Sequence, residues 1–291
     1  ACNCPIISDG LGGPSYPFAT AKSIVCYHDG SWTTSTPLTE SREMNNITRR
    51  SFTQTTLGSL LTYSLLETLI QDDVLGDDVA PVAHRWLREL QTMGQDIKGK
   101  KISHIQWQKS VEDLFDKIDL ADITKAINYE QLVKTTKFKD RGELSMRPKL
   151  PQVEGLPTRL IFGSQLFALK KDRSVVPHGH DNMATAFLIL DGKFHGRHYD
   201  RIEDDKDSMI IKPTIDRQFS RGDCSTVSDS KDNVHWFKAT SDTGFIFNIH
   251  ILSVKPGRTG RVYVDPDGEK LSGGRIRARK IKSAEAYKKY G

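Results

Sequence analysis

The sequence lacks the features of several protein classes. No apolar run approaches the roughly 18–20 residues that a membrane-spanning helix needs, and only four cysteines occur among 291 residues. With so few cysteines, a disulfide-stapled framework is not expected. The net charge is only +5, so a generic nucleic-acid binder is not expected either. Hydrophobic residues make up 37% of the chain, which suffices for a globular protein with its own core.

The positive charge is concentrated near the carboxyl end. Residues 257–291 hold ten Lys or Arg and four Asp or Glu, a charge of +6 (10 − 4). Arg275, Arg277 and Arg279 alternate with apolar residues, and this period of two is typical of a half-exposed strand. The segment therefore indicates a solvated sheet face, and no nucleic-acid partner is expected.

An arginine pair lies close to the first methionine, Met44. Residues 48–52 contain Arg49, Arg50 and Phe52, and a mildly apolar stretch follows, so the segment resembles a twin-arginine export signal. We expect residues 44–70 to be this signal, residues 1–43 to be non-native upstream sequence, and the product to be periplasmic or extracellular. A surface arginine pair before an ordinary helix, in a cytoplasmic protein, is the alternative.

Residues 71–157 are predicted to form a helical segment and a linker. Apolar residues recur at helical spacing from Asp78 to Phe138, for example at Val111, Leu114 and Phe115. Residues 137–157 are charged and contain three prolines, which indicates a linker.

Residues 158–291 change to short β-like runs separated by turns. The dipeptide Asp191-Gly192 between two apolar runs is a strong hairpin signal. This spacing predicts a small antiparallel barrel or sandwich. The predicted strands are 160–169, 184–190, 194–199, 209–211, 234–239, 244–254, 261–264 and 275–281, with a turn at 266–268.

Three histidines in this β region are candidate metal ligands. His178 and His180 are two residues apart, so on a strand both side chains point to the same face. His235 follows on another predicted strand. Neutral imidazoles that converge from two strands suit Fe(II), Zn(II) or a similar ion.

The arrangement resembles the first motif of the cupin superfamily, which reads His-x-His, four residues, Glu, six residues, Gly. His178-Gly179-His180 matches its start, and Gly192 stands at its glycine, but Thr185 replaces the glutamate. His235 matches the histidine of the second cupin motif. At other positions of that motif, this sequence has different residues.

A narrower resemblance is to cysteamine dioxygenase and the plant cysteine oxidases. Residues 177–183 match their Pro-His-x-His-x-x-Met segment, and Asp232-Asn233-Val234-His235 is similar to their Asp-Asn-Leu-His block. The resemblance, over residues 160–264, implies a mainly β fold, a cupin-type barrel (double-stranded β-helix) preceded by a helical segment. It also implies Fe(2+) bound by His178, His180 and His235 without a carboxylate, in a dioxygenase that converts a small thiol or cysteine thiol and O2 to a sulfinate.

Four further residues are candidates for the surroundings of the metal. Thr185 should point towards it, and Asp232 or Asn233 can orient an imidazole through its second nitrogen. His198 either lines the pocket or is simply a packed or surface histidine. His250, in an apolar run, is interpreted as a core histidine.

Other functions remain open for the same fold. Three histidines also suit a zinc- or manganese-dependent hydrolase or isomerase, and a non-catalytic metal- or small-molecule-binding cupin is a third possibility. No carboxylate-binding arginine can be assigned from the sequence. A free amine-thiol, free cysteine and a peptide with an N-terminal cysteine are therefore all candidate substrates.

Overall fold

The computed structural model describes residues 80–291, with side chains from His84 onward. The sequence hypotheses for residues 1–43 and 44–70 lie outside the described residues. Four helices precede the strands: α1 (Ala80–Lys98), α2 (His104–Lys117), α3 (Leu120–Ala126) and α4 (Tyr129–Lys134). Within residues 80–291, no helix is long and apolar enough to cross a membrane.

The two long helices form where the sequence predicts them. α2 begins with a capping box, in which Ser103 Oγ accepts from the Gln106 amide while Gln106 Oε1 accepts from the Ser103 amide. Trp86 of α1 and Trp107 of α2 are fully buried. The Trp86 ring meets that of Phe247 edge-on at a centroid distance of 6.3 Å, so the apolar helix faces pack against the strands.

Eleven strands and a C-terminal helix complete the described part of the chain. The elements are β1 (Leu144–Met146), β2 (Gly163–Lys170), β3 (Ser174–Asp181), β4 (Met183–Asp191), β5 (Lys193–Asp204), β6 (Ser208–Ser220), β7 (Cys224–Ser228), β8 (Val234–Ala239), β9 (Thr243–Leu252), β10 (Gly260–Lys270), β11 (Ile276–Lys280) and α5 (Ser283–Tyr290). The strands form a five-stranded sheet in the order β1-β2-β9-β4-β7 and a closed barrel in the order β10-β11-β6-β5-β8-β3. The mainly β fold with a barrel preceded by helices is thus confirmed.

Most of the apolar core lies in three layers, and a fourth, smaller cluster contains Val176, Ala286 and Tyr290. One layer lies between the helices and the five-stranded sheet, and a second lies between that sheet and the closed barrel, where Phe187 meets Phe237. The third fills the barrel itself and is drawn only from barrel strands: Tyr199, Met209, Ile211, Val234, Val264 and Ala278. Because the five-stranded sheet is covered on both faces, its strands β4 and β9 are buried along most of their length rather than at alternate residues.

Three strands are much longer than predicted. β5 continues from Tyr199 to Asp204, and β6 and β10 also extend beyond their predicted ends. β6 extends to Ser220 because residues 208–211 pair with β11 and residues 209–220 pair with β5. β10 continues through residues 266–268, which the sequence assigned to a turn. A register shift between Asp265 and Glu269 absorbs these residues, as a β-bulge does. Gly268 allows the close approach, since a Cβ there would lie 2.0 Å from the Arg277 carbonyl oxygen.

The segment assigned to a linker belongs to the folded unit. Residues 137–157 include β1, which pairs with β2. Val153 is buried in the layer beneath the helices, and Leu144 and Leu156 pack against it. The three prolines of this segment line a cavity of about 770 Å³.

Candidate metal centre

A bulge in β3 directs two histidines towards the five-stranded sheet. Val175 pairs with Phe237 and His178 with His235, so the β3–β8 register shifts between these pairs. Pro177 lies within the shift, where its missing N–H breaks no ladder hydrogen bond. Val175 and His178 consequently face the same layer, although they are three residues apart.

His178, His180 and His235 come together in this layer. One ring nitrogen from each lies within 4.8 Å of the others, and the ring centroids are 4.3 to 5.0 Å apart. All three side chains are buried. His235 also lies 4.9 Å from the Phe187 ring, which places the cluster between the sheet and the barrel rather than inside the barrel.

The hydrogen bonds leave ring nitrogens free for a metal ion. His178 Nδ1 lies 2.8 Å from the Val176 carbonyl oxygen and must donate to it, so Nε2 keeps its lone pair. That atom faces His180 Nε2 at 3.1 Å. Within residues 80–291, neither ring nitrogen of His235 has a hydrogen-bond partner. Unpaired buried polar atoms are destabilising. A cation shared by the three rings would give one nitrogen of each ring a partner, so these residues fit a metal ion.

Burial keeps the cluster neutral. It lowers the pKa of His178 to about 3, with the positive charge of Arg261 as the second cause. The pKa values of His180 and His235 lie well below the ordinary value, chiefly through burial and then through the neighbouring imidazoles. At neutral pH the rings are therefore uncharged, which is the form that binds metal.

Thr185 lies beside the cluster on β4. Its Oγ1 is 3.3 Å from His180 Nδ1. Because a hydroxyl both donates and accepts, Thr185 permits the tautomer of His180 that leaves Nε2 unprotonated. The only ligand-type side chains in the described cluster are the three imidazoles, so the local donor set carries no negative charge.

Contrary to the sequence hypothesis, Asn233 does not orient an imidazole. Its Nδ2 donates to the backbone oxygens of His180 at 2.8 Å and Ser228 at 3.0 Å, so it fixes main chain rather than an imidazole nitrogen. This ties the end of β3 to the start of β8 and holds His180 near His235. Asp232 also does not orient a ring in the described residues: its carboxylate accepts from the Thr214 hydroxyl.

Gly179 is required between His178 and His180 of β3. Its Cα faces the barrel core, and a Cβ there would lie 2.9 Å from Asn233 Oδ1 and 3.2 Å from Val234 Cγ2. Any larger residue would press on the amide that fixes His180.

His198 is a packed histidine next to the cluster. It is fully buried, stacks on Phe219 and meets Phe237 edge-on. Its Nε2 lies 3.2 Å from Ser225 Oγ, and its ring centroid is 6.2 Å from that of His235. His198 thus packs behind His235 and does not belong to the three-histidine cluster.

The sequence analysis gave Arg261 no role and interpreted His250 as a core histidine, but strand pairing brings both near the cluster. Arg261 on β10 is the register partner of His180, and His250 on β9 is the register partner of Thr185. His250 is not a fully enclosed core residue, because it lines a cavity of about 770 Å³. Local spacing carries no signal for either placement, since both depend on the pairing of distant strands.

Comparison with known proteins gives only remote similarities. No protein-family profile matches the chain, and no curated protein matches its sequence. Among solved structures, procruciferin, an 11S globulin from Brassica napus, is 14% identical with a TM-score of 0.28, and the match covers 36% of this chain and 23% of that one. This chain thus spans about a quarter of procruciferin.

Two bacterial structures are matched over more of their length. A protein with a double-stranded β-helix domain from Klebsiella pneumoniae is 9% identical with a TM-score of 0.31, over 45% of this chain and 87% of that one. A sugar phosphate isomerase of the cupin superfamily from Silicibacter pomeroyi is 18% identical with a TM-score of 0.31, over 50% and 83%. Scores this low carry no argument, so the fold rests on the strand pairing and the site on its own geometry: a mainly β chain with a buried three-histidine cluster suited to a metal ion.

Proposed function

We propose that the protein is an Fe(II)-dependent thiol dioxygenase. The observation that carries this proposal is the composition of the cluster. Among the described residues, it contains three neutral imidazoles with the Thr185 hydroxyl beside them and no carboxylate. Such a donor set leaves the full charge of a divalent ion uncompensated. An anionic thiolate is then a favoured additional ligand.

The overall reaction adds both atoms of O2 to the sulfur of a thiolate and yields a sulfinate. Sulfur supplies the electrons that O2 gains, so no external reductant is needed. Fe(II), when bound, would supply open coordination positions for thiolate and O2 together with reversible electron transfer.

The residues of the chain prepare the site for this chemistry. The Val176 carbonyl and the Thr185 hydroxyl hold two imidazoles in the tautomers that present lone pairs. Asn233 fixes the backbone of His180. Phe187 and Phe237 form an apolar wall against His235, which limits water near the reacting sulfur and strengthens its attraction to the cation.

Oxygen consumption by anaerobically loaded protein tests the proposal. We expect the Fe(II) form to consume O2 with at least one small thiol or cysteine-led peptide, and mass spectrometry with ¹⁸O₂ to find both labelled atoms in the product. Protein loaded with Zn(II), which cannot transfer electrons to O2, is the matched control. If the Fe(II) form consumes no O2 with any thiol, the dioxygenase proposal is wrong, and a zinc or manganese enzyme or a binding protein takes its place.

A further inference from the structure

A cavity of about 770 Å³ lies against β2 and β9 of the five-stranded sheet. Its wall is formed by the end of α1, by residues 148–162 and by residues of these two strands. None of the three cluster histidines is among its described lining residues. A volume of this size is typical of a cavity that holds a small ligand.

The wall of the cavity is mainly apolar. Leu150, Leu160 and Leu252 line it together with three prolines, whose fixed backbone angles stiffen the wall. Leu252 is 41% exposed, although the other apolar residues of β9 are buried. The cavity therefore offers apolar surface to the body of a ligand.

Two cationic side chains line the same cavity. Lys98 belongs to the last turn of α1, and Arg159 lies in the segment before β2. Neither forms an ion pair within residues 84–291, whereas nearby Lys101 pairs with Asp96 at 3.2 Å. No Asp or Glu occurs among the described lining residues. A cavity lined by charges of one sign raises the local concentration of oppositely charged ligands.

His250 contributes a neutral ring to this wall. Its Nδ1 donates to Asn248 Oδ1 at 3.0 Å. Gly163 leaves room for the ring, because a Cβ there would overlap His250 Nε2. Burial, followed by the positive charges of Arg261 and Arg147, lowers the pKa of His250 to about 4. The charges that act on this side of the cavity are thus also positive.

We propose that this cavity is a second binding site and that its ligand is an apolar monocarboxylate. The apolar body of the ligand contacts Leu150, Leu160 and Leu252, and its carboxylate forms ion pairs with Lys98 and Arg159. The inference goes beyond the proposed thiol oxidation and does not depend on it, since the described lining residues include no member of the metal cluster. An apolar amine would be repelled by the two cations.

Calorimetry on full-length protein tests the inference with octanoate, 1-octanol and octylamine, which share an eight-carbon chain and differ in charge. We expect wild type to bind octanoate about tenfold more tightly than 1-octanol, a difference of about 1.4 kcal/mol, and to bind octylamine more weakly than either. Acetate should bind at least about tenfold more weakly than octanoate, because it lacks the apolar body. Raising the salt concentration should reduce the preference for octanoate over 1-octanol, because Arg159 is exposed.

Substitution then assigns this preference to the two cations. Lys98→Gln and Arg159→Gln should each bind octanoate about threefold more weakly, the effect of losing one partly exposed ion pair, and bind 1-octanol as wild type does. The double variant should bind octanoate about tenfold more weakly, if the two effects add. Lys149→Gln is the matched control, because Lys149 is exposed and lies between the lining residues Pro148 and Leu150 without lining the cavity.

Two further measurements locate the ligand. Leu252→Ser should weaken the binding of octanoate and of 1-octanol by a similar factor of about three, because both lose the same apolar contact. Octanoate affinity should be equal in Fe(II)-loaded and in metal-free wild type. A different affinity in the two forms would overturn the inference, because the carboxylate would then lie at the metal cluster.

The inference is also wrong if wild type binds octanoate no more tightly than 1-octanol. The same holds if the double variant of Lys98 and Arg159 binds octanoate as tightly as Lys149→Gln does. Because these titrations contain no thiol, they leave the proposed dioxygenase reaction to its own test.

Discussion

The substitution Gly179→Ala tests how the fold holds the two β3 ligands. The added methyl would lie 2.9 Å from Asn233 Oδ1 and 3.2 Å from Val234 Cγ2. The Asn233 amide cannot rotate away without breaking its hydrogen bonds to the backbone oxygens of His180 and Ser228. Overpacking of this kind costs about 1–3 kcal/mol. For a domain of this size, each kcal/mol lowers Tm by about 2–4 °C.

The same substitution should weaken metal binding by about tenfold. Mutations of groups that orient metal ligands lower metal affinity by about 10- to 100-fold, and this effect lies at the lower end of that range. Thermal melts of metal-free protein and anaerobic iron titrations measure the two effects. Gly260→Ala is the matched control, since Gly260 lies opposite Asp181 in the same strand pair and a Cβ there meets nothing within 4 Å. It should be neutral or gain up to about 1 kcal/mol. If Gly179→Ala has the same melting temperature and iron affinity as Gly260→Ala, the proposal that Gly179 and Asn233 support His180 is wrong.

Three further predictions follow from the site and the sequence. Thr185→Glu should retain iron more firmly against a chelator and bind thiolate more weakly, because it adds a negative charge beside the ion; equal or faster thiol turnover would contradict this placement. Burial lowers the pKa values of His198 to about 3 and His250 to about 4, whereas the unfolded chain takes up protons near 6.5. Metal-free protein should therefore lose about 2 kcal/mol for each of these histidines between pH 7 and 5, and equal urea stability at both pH values would refute the neutral-histidine assignment. Replacing Arg49 and Arg50 by Lys should block export in a bacterium with twin-arginine transport; cell fractionation that finds the variant outside the cytoplasm, as wild type, would exclude the signal.

The spacing of apolar residues in the sequence predicted those helices and strands in which buried residues recur at regular intervals. The helical spacing of Val111, Leu114 and Phe115 corresponds to the buried face of α2. The run 234–239 coincides with β8. By contrast, most of β6 beyond Ile211 is polar and exposed, and it is a strand only because β5 provides its hydrogen-bond partners. Apolar periodicity cannot reveal such a strand.

The candidate ligands were predictable, and their surroundings were not. A histidine pair at i and i+2 must share a strand face, and that rule needs no tertiary information. The role of Asn233 depends on a backbone oxygen 53 residues away, and the position of Arg261 depends on the register between β3 and β10. Both are non-local facts. The sequence hypothesis about Asn233 was thus chemically reasonable but named the wrong partner atom.

The central claim is that His178, His180 and His235 together bind one metal ion. The most direct measurement is the iron stoichiometry of anaerobically loaded wild type and of the three single alanine variants, with circular dichroism to verify the fold. His195→Ala is the control, because His195 lies on β5 and pairs with Asp216 away from the cluster. We predict one iron per chain in wild type and in His195→Ala, and loss of stoichiometric iron from each of the other three folded variants. Full iron occupancy in any one of those three would contradict the account.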